Sequence, residues 1–268
     1  MKLLAFITLF SSCFCLKAQE LFVFTEPASN MAKGNLGIRM MGSTLKETIG
    51  NGFNTHIMPE LMYGISKNLM VHSTAFLSNR NNSFVSEGGS FYAKYKFFNR
   101  DEVKQHFRMS TFVRYSFNNA DIHQDEINLI GHNSGYEVGV NATQLLHKFA
   151  LSGGLSFMKA LNNEPRYKFP INQSSNALYY TMSFGKLMLP KKYNNYKQTN
   201  VNLMCEFLGQ SLMPNGKSYL DIAPSVQFIL LSKIRLDLAY RYQLFSSMQR
   251  TAPNGFFIRL EYNFFNVY

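Results

Sequence analysis

The sequence of 268 residues has no tryptophan, only three cysteines and no run of about 20 apolar residues. The missing apolar run excludes a helix that spans a membrane. Cys13 and Cys15 lie close to the start, so only Cys205 remains for the rest of the chain. One cysteine cannot form an internal disulfide, and the sequence around it contains no zinc or redox motif. We interpret Cys205 as a small apolar residue on the outer face of a strand.

The first 18 residues resemble a secretory signal peptide. Lys2 provides the positive charge, and residues 3–10 form a short apolar stretch. Ala18 is the small residue that precedes a cleavage site at Gln19. We therefore predict that residues 1–18 are a signal peptide that directs export and is removed.

Two alternatives remain open around this cleavage site. Cleavage before Cys13, as in a lipoprotein, is one alternative, but residues 10–12 match that signal poorly. Residues 19–34 are predicted to be a periplasmic N-terminal lead-in, and the alternative is that they fold into a lumen. Residues 35–268 are predicted to be one domain, because no boundary or long repeat interrupts them.

Period-two alternation is the strongest pattern in the chain. From Ile234 to Leu244, the even-numbered positions are apolar and the odd-numbered positions are mostly charged or polar, and residues 256–264 repeat the pattern. Such alternation over about ten residues is typical of a strand with one face on lipid and the other on a wet lumen. The 25 Phe and 15 Tyr residues agree with this, because barrels carry aromatic girdles at the membrane interfaces.

Alternation and turn residues together predict about 12 strands. Many of them have the length that a tilted membrane-spanning strand requires, which is greater than that of most strands in soluble proteins. The predicted spans are 35–44, 54–64, 69–79, 84–98, 105–118, 134–146, 149–160, 175–188, 198–209, 217–230, 233–246 and 255–267.

The connections between these strands alternate in length. Residues 147–148 and 231–233 are tight turns, whereas residues 118–133 and 161–174 are long and polar. Outer-membrane barrels have short periplasmic turns and longer outer loops, so the order predicts both chain termini on the periplasmic side. The short connection at residues 78–83, an outer loop in this order, is the exception.

A soluble β-sandwich or a lipocalin-like barrel is the alternative fold. Such a fold turns its apolar face inward, and alternation alone does not say which face lies outside. Strand length, strand number, the aromatic content and the lack of disulfides favour the membrane barrel.

If the apolar faces meet lipid, the charged residues of the strands line the lumen, because a charge facing the bilayer centre is costly. They would either select solutes along a path or fill a narrow lumen as paired charges. A slight basic excess favours polar or anionic solutes. The predicted luminal set is Arg39, Glu60, Lys94, Lys96, Arg108, Arg114, Glu137, Glu206, Asp221, Arg235, Asp237, Arg241, Arg259 and Glu261.

Residues 121–132 hold the densest group of side chains that could bind a metal. The group includes His123 and His132 among several carboxylates, and imidazole with carboxylate suits transition metals. The spacing matches no known closed site, so we favour a solvated loop and predict no metal and no cofactor.

Neither catalysis nor nucleic-acid binding is predicted. Ser73 follows His72, but adjacent strand residues face opposite sides, and the chain has no G-x-S-x-G motif. Lysine and arginine are dispersed along the strands, whereas a nucleic-acid surface clusters them.

Five short segments in the first 150 residues form a recognisable set. They are 25–31, 58–64, 87–95, 125–129 and 142–148. These segments resemble uncharacterised Gram-negative outer-membrane barrels close to a transporter-like group named for a phenol-degradation pathway. The resemblance implies an outer-membrane barrel and a channel. It implies no substrate and no catalytic residue, and the group's name is no indication of phenol chemistry here.

We therefore predict an all-β, antiparallel, up-and-down transmembrane barrel in the outer membrane. The predicted function is a channel or transporter for small polar or anionic solutes. The alternative is a non-conducting structural or surface-binding barrel that acts through its outer loops. Predicted partners are outer-membrane lipid and the barrel assembly machinery, because the ending 263–268, with an aromatic last residue, resembles the signal that this machinery reads.

Overall fold

A computed structural model describes residues 22–48, 52–79, 83–192 and 197–267. The predicted signal peptide, residues 1–18, lies outside the described residues. No described residue belongs to a helix long and apolar enough to cross a membrane. The strands are β1 (Leu36–Lys46), β2 (Phe53–Gly64), β3 (Leu69–Ser78), β4 (Val85–Glu102), β5 (Gln105–Asn118), β6 (Gly135–Leu146), β7 (Phe149–Ala160), β8 (Asn176–Leu189), β9 (Asn200–Met213), β10 (Ser218–Leu230), β11 (Ile234–Ser246) and β12 (Asn254–Phe264).

The twelve strands form one closed antiparallel barrel. Each strand pairs with its neighbours in the chain, and β1 closes the barrel by pairing with β12 from Leu36 opposite Phe264 to Lys46 opposite Asn254. Closure leaves no strand edge with unpaired N–H and C=O groups. The predicted fold, an antiparallel barrel of about 12 strands, is confirmed.

The two faces of the wall differ sharply in polarity, as β12 illustrates. Ile258 and Leu260 point outward and are 51% and 52% exposed, whereas Arg259 and Glu261 point inward and are each 4% exposed. A soluble barrel would have the opposite arrangement, with an apolar interior and a polar outside. The alternation therefore places the apolar face outside and the charged face in the lumen.

The two ends of the barrel differ in their connections. At one end, here called the turn end, pairs of strands are joined by tight turns such as 103–104 and 147–148. At the other end, here called the loop end, the connections include the long loops 119–134 and 161–175. The first strand begins and the last strand ends at the turn end.

Most strand boundaries lie close to the predicted ones, and β9 is one of two strands that extend four residues past the predicted end. It continues to Met213, whereas the alternation predicted an end at 209. Gly209 interrupts the apolar face there, but the ring of Tyr180 on β8 covers it, so closely that a Cβ at Gly209 would lie 2.1 Å from Cε2 of that ring. An aromatic ring over a glycine maintains the ladder where the sequence pattern alone suggests a break.

Two further boundaries differ at the turn end. β4 continues to Glu102, four residues past the predicted end, and a register shift between Lys96 and Phe98 accommodates it. β12 ends at Phe264, because the following residues leave the ladder and the Val267 N–H donates to the carbonyl of Gly34.

The buried apolar residues form two clusters inside the lumen. One lies under the loop end and joins loop 119–134 to the wall through Ile127, Leu129, Met158, Ala160, Ala177, Leu212, Tyr219 and Met248. The other joins residues that precede β1 to the wall through Phe22, Val23, Ala150, Met204, Ala239 and Phe257. Segments outside the strands therefore provide part of both luminal cores.

The outward apolar face leads to a stability prediction. Val140 lies near the middle of β6 and is 45% exposed, whereas Val103 lies in a tight turn and is 89% exposed. We expect Val140→Arg to reduce the free energy of unfolding in lipid vesicles by about 2–4 kcal/mol, because the charge would face the hydrocarbon. Val103→Arg is the matched control and is expected to have no effect. Equal effects at the two sites, measured by urea unfolding, would contradict a lipid-facing wall.

Candidate functional site

The structure places the predicted luminal set at inward strand positions, and most members lie in ion pairs. Arg39 on β1 bonds Glu60 on β2 at 3.0 Å and Glu261 on β12 at 2.9 Å. Arg235 on β11 bonds the same Glu261 at 2.6 Å. The strand register brings these residues to one level, so the wall neutralises most of its own charge.

Arg114 on β5 bonds one carboxylate, whereas Arg39, Arg235 and Arg241 each bond two. Its Nε donates to Glu137 on β6 at 3.1 Å, and its guanidinium lies 4.9 Å from the ring centroid of Tyr92. Within the described part of the chain, no group accepts a hydrogen bond from its two terminal nitrogens. Glu137 also accepts the hydroxyl of Ser156 at 2.6 Å, so this carboxylate is shared. The terminal nitrogens of Arg114, which lines the lumen, are therefore available for a further hydrogen bond.

Loop 119–134 folds inward from the loop end and is held by a four-membered ion cluster, here called the loop latch. Glu126 of the loop accepts from Arg250 at 2.7 Å and from Arg241 at 3.2 Å. Asp221 on β10 accepts from Arg241 at 2.6 Å and from Arg250 at 2.7 Å. Two carboxylates and two guanidinium groups thus join this loop, the wall and the loop between β11 and β12.

The electrostatics of the latch favour its charged form. Burial by itself raises the pKa of the Glu126 carboxyl, but the guanidinium groups of Arg250 and Arg241 lower that pKa to about 2. Glu126 is therefore ionised at neutral pH, and its two partners remain bonded to it.

Two further sets of contacts hold the same loop, one to an uncharged side chain of the wall and one near the rim of the barrel. The side-chain amide of Gln210 accepts the Ile127 N–H at 2.9 Å and donates to the Ile127 carbonyl at 2.8 Å. Nearer the rim, Asp125 accepts from Nζ of Lys217 at 2.7 Å and from the N–H of Gln249 at 2.9 Å. The loop is bonded on three sides, so it occupies a defined position in the lumen.

Residues 22–31, here called the terminal segment, enter the lumen from the turn end. Their main chain contacts Glu206 and Arg259, and Nζ of Lys94 bonds the Glu26 carboxylate at 3.1 Å. The described part of residues 19–34 therefore lies against the inner wall of the barrel. This agrees with the alternative that these residues fold into the lumen, and not with a lead-in outside the barrel. Burial raises the pKa of Glu26, but Lys94 and His72 lower it to about 2, so this ion pair is charged at neutral pH.

A cavity of about 200 Å³ lies between the terminal segment and loop 119–134. Its wall mixes aromatic, apolar and charged groups, among them Phe24, Leu129, Tyr179, Tyr219 and Arg114. Typical ligand pockets measure about 300–1,000 Å³. The space therefore suits water or a molecule of a few heavy atoms.

Four luminal charges lie outside the predicted set. Glu26 lies in the terminal segment, Glu126 and Arg250 lie in loops, and Glu87 lies on β4. Three of the four are acidic, so they remove the basic excess of the predicted set. No strand periodicity marks the first three, because their partners are distant in the chain. Glu87 is out of phase with the inward β4 residues Tyr92 and Lys94, because a register shift in the β3–β4 pairing at Gly88 turns it inward, so the alternation does not mark it either.

The histidines of loop 119–134 lie apart from one another. His123 is exposed near the carbonyl of Asp121, and the ring of His132 packs against His56 with centroids 4.9 Å apart. Over residues 22–48, 52–79, 83–192 and 197–267, no group of three or more His, Cys, Asp and Glu side chains is placed to hold a metal ion.

Comparisons with known proteins identify a shared fold. No protein-family model matches the chain, and no curated protein matches it in sequence. In structure it is similar to the NanC porin, with a TM-score of 0.52 and 9% identity over 84% of this chain and 97% of that one. It is also similar to an outer-membrane channel from Pseudomonas putida F1, with a TM-score of 0.53 and 12% identity over 90% and 99% of the two chains. At these identities the likeness establishes the barrel fold, and the link to the group named for phenol degradation stays a prediction.

The loop latch leads to a pH prediction. The folded-state pKa of Glu126 lies below its ordinary 4.5, so the stabilisation is present above pH 4.5 and is lost as the pH falls towards 2. The shift corresponds to about 3 kcal/mol. We expect hydrogen-exchange protection of residues 125–129, corrected for intrinsic rates, to decrease over this range. Glu126→Gln is expected to lack the protection already at pH 7. Wild-type protection in that variant would show that the latch does not hold the loop.

Proposed function

We propose that the chain is an outer-membrane channel for small polar solutes, including anions. The observation that carries the proposal is a closed barrel whose outside is apolar and whose lumen is lined by charged side chains. The terminal segment and loop 119–134 narrow this lumen at two levels. The channel thus has a narrowed region at each end of a central cavity.

The proposed location is the outer membrane. A closed barrel satisfies all backbone groups within the sheet, which is what a strand protein needs in lipid. Residues such as Ile258 and Leu260 present the apolar surface that lipid would cover. The proposal also includes a signal peptide at residues 1–18 and recognition of residues 263–268 by the barrel assembly machinery.

The charge of the lumen supports weak selectivity. Most luminal charges neutralise one another, so the field along the path is small. Arg114 is the exception at the cavity, because its terminal nitrogens have no partner in the described chain. We infer a preference for small polar solutes, with a modest preference for anions that depends on this guanidinium.

A non-conducting barrel that acts through its outer loops is the second candidate. The observation that favours it is the occupied lumen, where the cavity of about 200 Å³ lies between two inserted segments. Catalysis is not part of either proposal. His72 is buried in the lumen and Ser73 is exposed on the outside, so these two residues cannot act together.

Conductance in a planar bilayer separates the two candidates. We expect wild-type protein to give few or short openings, because the loop latch and the terminal segment narrow the path. We expect Glu126→Gln to raise the open probability, since it removes the charge that holds Arg250 and Arg241. Correctly folded protein, checked by heat-modifiable migration, that conducts in neither form would favour the non-conducting barrel.

Ion selectivity tests the role of Arg114. We expect Arg114→Gln to shift the reversal potential in a salt gradient towards cation preference, because the cavity loses a cation that bonds only one carboxylate. Arg114→Lys retains the charge and is the matched control. Arg241→Gln is expected to alter opening more than selectivity, since Arg241 bonds both latch carboxylates. An unchanged reversal potential in Arg114→Gln would contradict the assignment.

A further inference from the structure

The wall holds the terminal segment mainly by its peptide groups. The carboxylate of Glu206 on β9 accepts the N–H groups of three consecutive residues, Val23 at 2.7 Å, Phe24 at 3.2 Å and Thr25 at 2.7 Å. Consecutive N–H groups that converge on one anion form a recurrent anion-binding arrangement of the backbone. Glu206 is fully buried, and besides these N–H groups it accepts from the hydroxyl groups of Ser183 and Thr25. Its carboxylate is therefore satisfied chiefly by a peptide.

Cationic and hydroxyl side chains complement the remaining peptide groups. Arg259 on β12 donates to the carbonyls of Phe22 at 2.5 Å and Val23 at 3.0 Å. On the opposite wall, Nζ of Lys94 on β4 donates to the carbonyl of Pro27 at 2.9 Å.

Thr143 on β6 adds a hydroxyl oxygen that accepts the N–H of Ala28 at 2.9 Å. Counting Thr143, four inward side chains from four strands bind peptide N–H and C=O groups that every residue has, apart from the N–H that proline lacks.

Contacts to the side chains of the segment are fewer. Thr25 bonds the hydroxyl of Ser183, Glu26 bonds Lys94, and the hydroxyl of Ser29 accepts from Arg108. The ring of Phe24 packs edge-on against Phe257 with centroids 4.7 Å apart. Phe22 and Val23 also pack in the second luminal cluster. Apolar residues are therefore favoured at residues 22–24 and an acidic residue at residue 26, while the main-chain contacts set no further sequence requirement.

We propose that Glu206, Arg259, Lys94 and Thr143 form a binding site for a short peptide and that the terminal segment occupies it as an internal ligand. A second peptide with the same backbone conformation would make the same bonds once the segment leaves. The binding site stands independently, and only the passage of a bound peptide along the lumen rests on the proposed channel function. This assigns peptides as the solute class.

The site is occupied in the intact chain because the segment is tethered. A short tether gives an effective concentration on the order of millimolar, so a free peptide competes poorly. The test therefore uses the full chain with a protease recognition sequence in place of Ala32 and Lys33, which are exposed between the segment and β1. The barrel folds with its segment in place, and cleavage then allows the segment to exchange.

Fluorescence anisotropy measures binding of a labelled peptide with the sequence of residues 22–29. We expect binding after cleavage and none before it. N-methylation of the Phe24 amide removes a donor to Glu206 and should weaken binding about ten-fold or more. N-methylation of the Glu26 amide is the matched control, because this N–H donates no hydrogen bond within the described chain.

A peptide with alanine in place of Val23, Phe24 and Thr25 should still bind, within about ten-fold of the parent, if main-chain bonds dominate. No binding by any peptide after cleavage would overturn the proposal. Equal affinity of the two N-methyl peptides would also overturn it, as would binding restricted to the parent sequence. These arms use one protein, so they do not depend on the folding of a Glu206 variant.

Conductance of the same cleaved protein separates this inference from the proposed function. Openings after cleavage that the peptide blocks support both. Openings after cleavage without peptide binding would support the proposed channel function and overturn the peptide-binding site. Peptide binding by a protein that conducts neither before nor after cleavage would support the peptide-binding site and overturn the proposed channel function.

Discussion

The requirement that every backbone N–H and C=O group of the wall be bonded within the sheet governs the whole molecule. This requirement is met by the pairing of β1 with β12, which closes the barrel. Side chains alternate along each strand, so every second residue faces the lumen and the others face outward. Since the outside is apolar, the charges of twelve strands meet inside. Arg39, Glu60, Arg235 and Glu261 illustrate the outcome, because each of these inward charges is bonded to an opposite one. Burial of a charge is costly unless it is paired, so the lumen becomes a network.

The wall does not satisfy this network alone. Glu206 has no cation bonded to it within the described chain and receives peptide N–H groups of the terminal segment instead. Asp221 and Arg241 bond each other, and each has a further partner from a loop, Arg250 for Asp221 and Glu126 for Arg241. The inserted segments are therefore electrostatic partners of the wall as well as obstacles in the lumen. A change that expels either segment leaves buried charges to be satisfied by water or by a solute.

The sequence predicted the wall well and the inserted segments poorly, for a physical reason. Alternation is a local signal, so it revealed twelve strands and the direction of Arg114 or Asp237 without knowledge of the fold. Alternation predicts too short a β9, because the ring of Tyr180 that covers Gly209 belongs to the neighbouring strand β8. The sequence predicts a solvated loop here, because the residues that loop 119–134 contacts are distant in the chain. Gln210 lies 83 residues after Ile127, and Arg250 lies 124 residues after Glu126. Pairings at that separation leave no periodic trace in the sequence.

The way the terminal segment is bound bears on how easily it leaves. Ordering one residue of backbone costs about 1–2 kcal/mol, and a hydrogen bond to a charged group contributes about 1.5–3 kcal/mol net. Over residues 22–29 these two quantities are of similar size, and the segment adds apolar contact at Phe22 and Phe24. The segment is therefore held by a small difference, unlike the wall, whose strands are joined on both sides by ladders of backbone hydrogen bonds. A peptide ligand that offers the same N–H and C=O groups must overcome only that small difference and the effect of the tether. An ion that displaces the segment does not offer these groups, so Glu206 and Arg259 would then need other partners.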